Sequence, residues 1–217
     1  TRGYRLTPVA NSLSAGTVNE EPGYPRVYIK SSETDPRKIK PEELVKNIKA
    51  GHVQVTNGPF IKLKVNGEEP GSMVTATDGT LDIELEVFSP NWANVSTVSI
   101  LQNGHIARQV IIPAGTSDRE TGRVYPKKTD DEDKVFRMKI REDASVVVMV
   151  EGDPALPQDP VNPLFIPTRK AGVTQGQKSL AFTSPIIVDV DGDGRVTIEP
   201  PETKAPGKPG EERVPPF

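Results

Sequence analysis

The chain has 217 residues, of which 34% are hydrophobic, enough for an ordinary core in one large domain or two small ones. Its net charge is −3 and its 27 basic residues are scattered, so the charge pattern predicts no nucleic-acid partner. The absence of cysteine excludes disulfides, cysteine-ligated zinc and thiol catalysis. The longest apolar run, Val146 to Val150, is far shorter than the roughly 20 residues that cross a bilayer, so no membrane span is predicted.

The first 58 residues predict a small mixed α/β segment. Residues 4–12 ("YRLTPVANS") indicate a short buried strand, and residues 23–31 ("GYPRVYIKS") indicate a second strand. Residues 41–51 ("PEELVKNIKAG") predict a helix. Proline suits the first helical position, two glutamates favour the positive end of the helix dipole, and glycine ends the pattern.

From residue 59 to residue 195 the sequence predicts a β-sandwich domain. Apolar and charged residues alternate in "FIKLKVNG" and "TLDIELEVF", as in strands that are buried on one face. Asn103-Gly104 lies between two apolar runs and predicts a hairpin, because both residues tolerate the positive φ of a type I′ turn. "KVFRMKI" and "SVVVMVEG" predict two more strands, one in each sheet. The predicted fold is mainly β: an immunoglobulin-like antiparallel β-sandwich preceded by the α/β segment.

Three stretches lack such patterns. Residues 113–134 are polar and charged, which is typical of a mobile excursion rather than a core element. Residues 152–172 contain five prolines and are expected to run extended along a surface or over an open edge. Residues 196–217 form a proline-rich tail with little to bury.

Few side chains offer catalytic chemistry. His52 and His105 are the only histidines, and neither has a second ligand at metal-binding spacing, so no catalytic role is assigned to them. No glycine-rich phosphate loop or nucleophile elbow is present. The acidic run Asp130 to Asp133 is interpreted as a solvated loop.

The stretch "DVDGDG" is more specific. Asp189, Asp191 and Asp193 match positions 1, 3 and 5 of a calcium loop, and Gly194 matches the glycine at position 6. Position 12, which needs a bidentate glutamate, is Pro200, and the flanking "SPIIV" and "RVTIE" predict strands, so an EF-hand is excluded. The three aspartates remain a candidate Ca²⁺ loop. The alternative is a tight turn that holds no metal.

Several motifs occur in the same order as in a known family. The chain resembles the region that follows the metal-binding barrel in PHP-domain metal-dependent hydrolases of the CehA/McbA type, over roughly residues 5–195. The motifs that carry the resemblance are "GYPRVYI", "VTNGP", "VNG", "PG", "ILQNGHI" and "AFTSPIIVDVDGDG".

The resemblance also implies a loss of metal ligands. In the family the barrel ends in Asn-Ser-Asp-Ser-His, whose Asp and His bind catalytic metals, whereas this chain has Leu13 and Ala15 at those two positions. Neither side chain can donate an electron pair to a metal. The remaining family ligands would lie upstream of Thr1, where the chain begins without a methionine and is expected to be a piece of something longer.

Three hypotheses about function follow. The first is a non-catalytic C-terminal β-sandwich region that packs on an upstream PHP-type barrel and binds a partner or ligand. The second is a part of a metal-dependent phosphoesterase or of an ester or amide hydrolase, with its divalent-metal site upstream of Thr1. The third is a calcium-stabilised structural or adhesive module of a secreted protein. The compartment stays open, with a secreted or periplasmic location favoured, and the sequence does not indicate an oligomeric state.

Overall fold

Most of the chain is organised as strands that form two sheets. The computed structural model describes residues 6–11, 25–90, 93–113, 121–126, 135–152, 178–196 and 198. The helix α1 spans Pro41–Ala50, and a short 3-10 turn spans Pro36–Lys38. The strands are β1 Arg26–Ile29, β2 Val53–Thr56, β3 Phe60–Val65, β4 Met73–Thr75, β5 Thr80–Phe88, β6 Thr97–Gln102, β7 His105–Ile111, β8 Arg123–Tyr125, β9 Val135–Lys139, β10 Ala144–Glu151, β11 Leu180–Thr183 and β12 Ile186–Asp189.

Eight strands form a large sheet and four form a small sheet. In the large sheet, β10 pairs with β6 along one edge and with both β11 and β12 along the other. In the small sheet, β5 pairs with β3, β8 and β9. The chain is therefore mainly β and forms a β-sandwich, as the sequence predicts. Among the described strands all pairings are antiparallel except that of β4 with β12, which is parallel.

The core lies between the two sheets. Alternate residues of β10 (Val146, Val148 and Val150) are fully buried, and they face a matching row from β5 that includes Leu81 and Ile83. Each such side chain removed from water contributes roughly 1.5–3 kcal/mol. The two-residue period of the sequence therefore decides which side chains form the core.

The predicted boundary after residue 58 lies within one continuous sheet. Strand β2 precedes that boundary, and it pairs with β1 on one side and with β11 on the other. The Asn57 side chain strengthens this junction, because its Oδ1 accepts a hydrogen bond from the Leu180 N–H at 2.6 Å. The N-terminal strands thus complete the large sheet.

Several local predictions are confirmed. Helix α1 begins at Pro41 and ends at Gly51, which has the left-handed φ of +83° that a glycine cap adopts. The β6–β7 hairpin turns at Asn103 and Gly104, whose φ angles are +51° and +84°. Strands β1, β3, β5, β9 and β10 lie where the alternating patterns predict them.

Three local predictions were wrong. Residues 6–11 form no strand, and the side chains of Leu6 and Val9 are 75% and 67% exposed. Pro8 has no N–H to donate, so it interrupts the hydrogen bonds that a strand would make there. The segment around Val124 was predicted to lie outside the core, yet it forms β8 and Val124 is buried. Residues 195, 196 and 198 form no strand, because the Arg195 N–H donates to Asp193 Oδ1 rather than to a neighbouring strand.

Other predictions fall outside the described residues. They concern the lost-ligand positions Leu13 and Ala15, the acidic run Asp130 to Asp133, residues 153–172 of the proline-rich stretch and nearly all of the tail. No helix in the described ranges is both long enough and apolar enough to span a membrane.

Aromatic contacts connect the two sheets on two sides of the sandwich. On one side the Tyr28 ring of β1 meets the Phe60 ring of β3 edge to face, with centroids 5.2 Å apart. On the other side the Arg108 guanidinium of β7 lies 4.3 Å from the centre of the Phe136 ring of β9. Gln54 adds a polar tie to the first side, since its amide donates to Ile61 O and accepts from Ile61 N–H.

The end of helix α1 is held by a close approach of two backbones. A Cβ added at Gly71 would lie 2.5 Å from Gly51 C and 2.6 Å from Gly51 O, and Gly71 has a φ of +93°. No side chain fits between these two segments. The glycine therefore permits both the turn and the contact.

We expect Gly71→Ala to lower the free energy of unfolding by about 2–4 kcal/mol, because the strain of a positive φ adds to the clash of the new Cβ with the Gly51 backbone. The matched control is Gly67→Ala, which has a φ of +83° but no atom within 4 Å of the added Cβ. In the control the free energy of unfolding should fall by only about 1–2 kcal/mol, which is the cost of a left-handed backbone at a residue with a Cβ. Urea unfolding of both variants measures the difference, and equal losses would contradict the close approach.

Candidate functional site

Strand pairing brings two aspartates from distant parts of the sequence together. Strands β10 and β12 are antiparallel, with Ala144 opposite Val188. Asp143 directly precedes β10 and Asp189 is the last residue of β12, so the next position of the same register places them side by side. Asp191 follows in the loop after β12.

The three carboxylates converge. One carboxylate oxygen from each of Asp143, Asp189 and Asp191 lies within 4.8 Å of the others. Asp189 is only 1% exposed, Asp143 is half-buried and Asp191 is exposed. The group therefore opens to solvent on the Asp191 side.

The "DVDGDG" loop wraps around the Asp189 carboxylate. Gly192 N–H donates to its Oδ1 at 2.7 Å, and Gly194 N–H donates to its Oδ2 at 3.0 Å. Both glycines have a φ of +75°, which turns these N–H groups inward. Val190 N–H donates to Asp143 Oδ1 at 3.0 Å and ties the loop to the start of β10.

The pKa of Asp191 is raised above its ordinary value of 3.8 by several opposing and reinforcing contacts. The Asp193 N–H, which donates to Asp191 Oδ1, lowers the pKa of this carboxyl. Desolvation and the negative charge of Asp193 outweigh that effect and raise the pKa. The Asp143 charge and the contact with the Asp189 side chain act in the same direction.

Such a group suits a hard cation. Calcium takes six to eight oxygen ligands from carboxylates, backbone carbonyls and water, and three converging carboxylates supply the charge that it needs. The donors are all oxygens, which does not favour the nitrogen- and sulfur-seeking metals such as zinc. The alternative remains that the loop needs no metal, because the two glycine N–H groups already bond the buried Asp189 carboxylate.

The structure assembles a set that differs from the sequence prediction in two residues. Asp189 and Asp191 lie together, whereas Asp193 does not belong to the converging group and accepts the Arg195 N–H instead. Asp143 was not identified from sequence. In the sequence, Asp143 is only an acidic residue directly before an apolar strand. Its place beside Asp189 can be recognised only when the pairing of β10 with β12 is known.

The two histidines lie apart from the aspartates. His52 Nδ1 is 2.8 Å from the Pro70 carbonyl oxygen, and because a carbonyl can only accept, Nδ1 donates. His105 is exposed at the start of the edge strand β7. Neither belongs to a group of three metal-ligating side chains among the described residues.

We expect calcium to raise the melting temperature of the chain if the three aspartates bind it. An ion that binds only the folded state stabilises it by about 2.7 kcal/mol at a hundredfold excess over its dissociation constant. Differential scanning calorimetry with millimolar calcium, and then with chelator, measures the effect. Asp143→Asn should reduce the shift, while Asp193→Asn should leave most of it. An unchanged melting temperature in calcium would contradict the site.

A second prediction separates electrostatic repulsion at Asp191 from calcium binding. Because the folded-state pKa of Asp191 is raised, its proton favours folding at low pH, and this contribution is lost as the pH rises through the raised pKa. Asp191→Asn should therefore raise the melting temperature near neutral pH without calcium and reduce the response to calcium. Melting curves at pH 4 and pH 7 test this, since the gain should shrink at the lower pH. A loss of stability at pH 7 would contradict the repulsion.

Comparison of the chain with protein-family models, curated proteins and solved structures finds no match. The resemblance to PHP-domain proteins therefore stays a prediction that rests on the ordered motifs quoted above. The three aspartates and the two sheet faces are the features from which a function is proposed.

Proposed function

We propose that the chain is a non-catalytic, immunoglobulin-like β-sandwich region of a PHP-type, CehA/McbA-like protein, and that it packs on a barrel domain through the outer face of its large sheet. The observation that carries this proposal is the contrast between the outer faces of the two sheets. One outer face is charged and the other is mostly apolar.

The outer face of the small sheet has the composition of a surface in contact with water. Lys62 lies opposite Glu86, and Lys64 lies opposite Glu84, in the pairing of β3 with β5. An ion pair extends this pattern to β8, since Arg123 Nη2 lies 3.1 Å from Glu86 Oε2. This charged outer face comprises Lys62, Lys64, Asp82, Glu84, Glu86, Arg123, Arg137 and Lys139.

The outer face of the large sheet is mostly apolar instead. Register places Met149 opposite Phe182, and Phe182 opposite Val55, on the side of the sheet that points away from the core. This apolar outer face comprises Val27, Val55, Leu101, Val147, Met149, Phe182 and Ile187, of which Val55 is buried and the others are half-buried within the chain. Ser99, Ser145 and Glu151 share this side of the sheet by the same register. A largely apolar face with few charges suits an interface with another domain.

The absence of catalysis is inferred from the family pattern. Leu13 and Ala15 replace the Asp and His that would complete the metal site, and a metal-assisted hydrolase needs an ion, an activated water and an open coordination position. The competing hypothesis, an active hydrolase whose ligands lie upstream of Thr1, uses the same docking face. Metal-dependent activity of the complete gene product separates the two, because the ligands of the competing hypothesis would lie outside this chain.

A second candidate function is that of a calcium-stabilised structural module. The convergence of Asp143, Asp189 and Asp191 favours it, because the ion would join the start of β10 to the end of β12. This role is compatible with docking. The candidate site lies at one end of the large sheet, and an ion there would stabilise the fold rather than take part in a reaction.

We expect no hydrolysis of generic phosphate esters or carboxylic esters by the chain with added zinc or manganese. Release of p-nitrophenol from both ester types, recorded against a buffer blank containing the same metal, is the measurement. Turnover that disappears when the metal is chelated would contradict the non-catalytic assignment.

We expect Met149→Lys to disrupt docking without unfolding the sandwich, because a charge would enter an apolar interface. In the complete gene product the sandwich should then melt in a separate transition rather than together with the barrel. The matched control is Val135→Lys, at an exposed position of β9 on the small sheet. Circular dichroism of both variants in the isolated chain checks the fold. Equal effects of the two substitutions on the complete product would contradict docking through the large sheet.

A further inference from the structure

A cleft lies on the side of the sandwich where the edges of the two sheets meet. Strands β1 and β2 of the large sheet pass the edge of β3, which pairs only with β5 among the described strands. The cavity between them has a volume of about 540 Å³ and is open to solvent. This size falls in the range of small-molecule sites.

Side chains of different strands and loops line this cleft. Tyr28 packs edge to face on Phe60, and Tyr28 is 39% exposed. The Arg26 guanidinium lies over the Tyr28 ring, 5.4 Å from its centre, and donates to the Tyr28 hydroxyl. Lys30 Nζ lies 2.5 Å from Glu69 Oε2. The lining therefore combines an aromatic pair with an ion pair.

The charges around the cleft cancel. Three lysines and three glutamates line it: Lys30, Lys62, Lys64, Glu69, Glu84 and Glu86. They stand as pairs of opposite sign, Lys30 with Glu69 by contact, and the other four by cross-strand register. An anion would meet as many carboxylates as ammonium groups, so the lining selects against a strongly charged ligand.

His52 adds a directed acceptor. Its Nδ1 donates to the Pro70 carbonyl oxygen, and His52 and Pro70 both line the cleft. In the neutral ring, Nε2 then carries no proton and can accept a hydrogen bond. The lining thus offers both donors and acceptors, which suits hydroxyl groups because each hydroxyl both donates and accepts.

We propose that this cleft binds a neutral saccharide. The part of the Tyr28 ring that Arg26 and Phe60 leave uncovered offers an apolar surface for the C–H face of a sugar, while the paired lysines and glutamates and the His52 ring meet its hydroxyl groups. This inference is independent of the docking proposal, because the cleft lies at the β1–β3 edge and the docking face is the outer surface of the large sheet. Failure of one leaves the other intact.

The test is a titration of the full ¹⁵N-labelled chain, followed by two-dimensional NMR, with maltose, cellobiose, N,N′-diacetylchitobiose and, separately, inorganic phosphate. The expected result is a saturable shift of cleft amides, such as those of Ile29, His52 and Lys64, with at least one of the three sugars and none with phosphate. No saturable shift with any of the sugars would overturn the proposal. Cleft shifts with phosphate that exceed those with sugars would overturn the neutral ligand class.

Substitutions test whether the sugar binds in the cleft. Tyr28→Ala should weaken sugar binding roughly tenfold, and Tyr28→Phe should retain most of it, because the ring and not the hydroxyl carries the contact. The matched control is Ile106→Ala, at a 57% exposed position of β7 on the opposite side of the sandwich. If Tyr28→Ala does not fold, Lys64→Met replaces it and should also weaken binding. Unchanged affinity in the folded cleft variants, or an equal loss in Ile106→Ala, would overturn the assignment.

Discussion

Strand pairing along both edges of β10 is the interaction on which the rest of the structure depends. One edge holds β6 and, through it, the hairpin strand β7. The other edge holds β11 and β12 in succession, so it fixes both the N-terminal strands, through β2, and the start of the "DVDGDG" loop. Because Val146, Val148 and Val150 are fully buried, the register of β10 cannot slip without exposing them. The candidate cation group, the apolar outer face and the position of the cleft all follow from this register.

The same alternation that builds the core assigns different roles to the two outer surfaces. Along β5 the residues between the buried ones are Asp82, Glu84 and Glu86, which meet cations on β3, β8 and β9. Along β10 the corresponding residues include Val147 and Met149. Surface ion pairs contribute little to stability, so their value here is to keep the small sheet in water. The outer side of the large sheet carries fewer charges, and the docking proposal rests on that contrast.

Much of the fold can be predicted from the sequence because its signals are local. Asn103-Gly104, the helix that ends at Gly51 and the alternation in β3 and β5 each specify their conformation within a few residues. The candidate site is only partly predictable, since Asp143 joins it through a pairing across more than forty positions. Strand β8 has three residues, which are too few to show an alternation of apolar and polar side chains. Its Val124 is buried against residues that are distant in the sequence. The β1–β3 cleft has no sequence signal, because it exists only where the edges of two sheets meet.

Docking of another domain on the outer face of the large sheet is a proposal that hydrogen–deuterium exchange can test. The experiment compares the isolated chain with the same residues in the complete gene product. Docking should add protection in β10 and β11, around Met149 and Phe182, and leave β3 and β5 unchanged around Lys64 and Glu84. Added protection confined to the small sheet, or identical exchange in both samples, would contradict it.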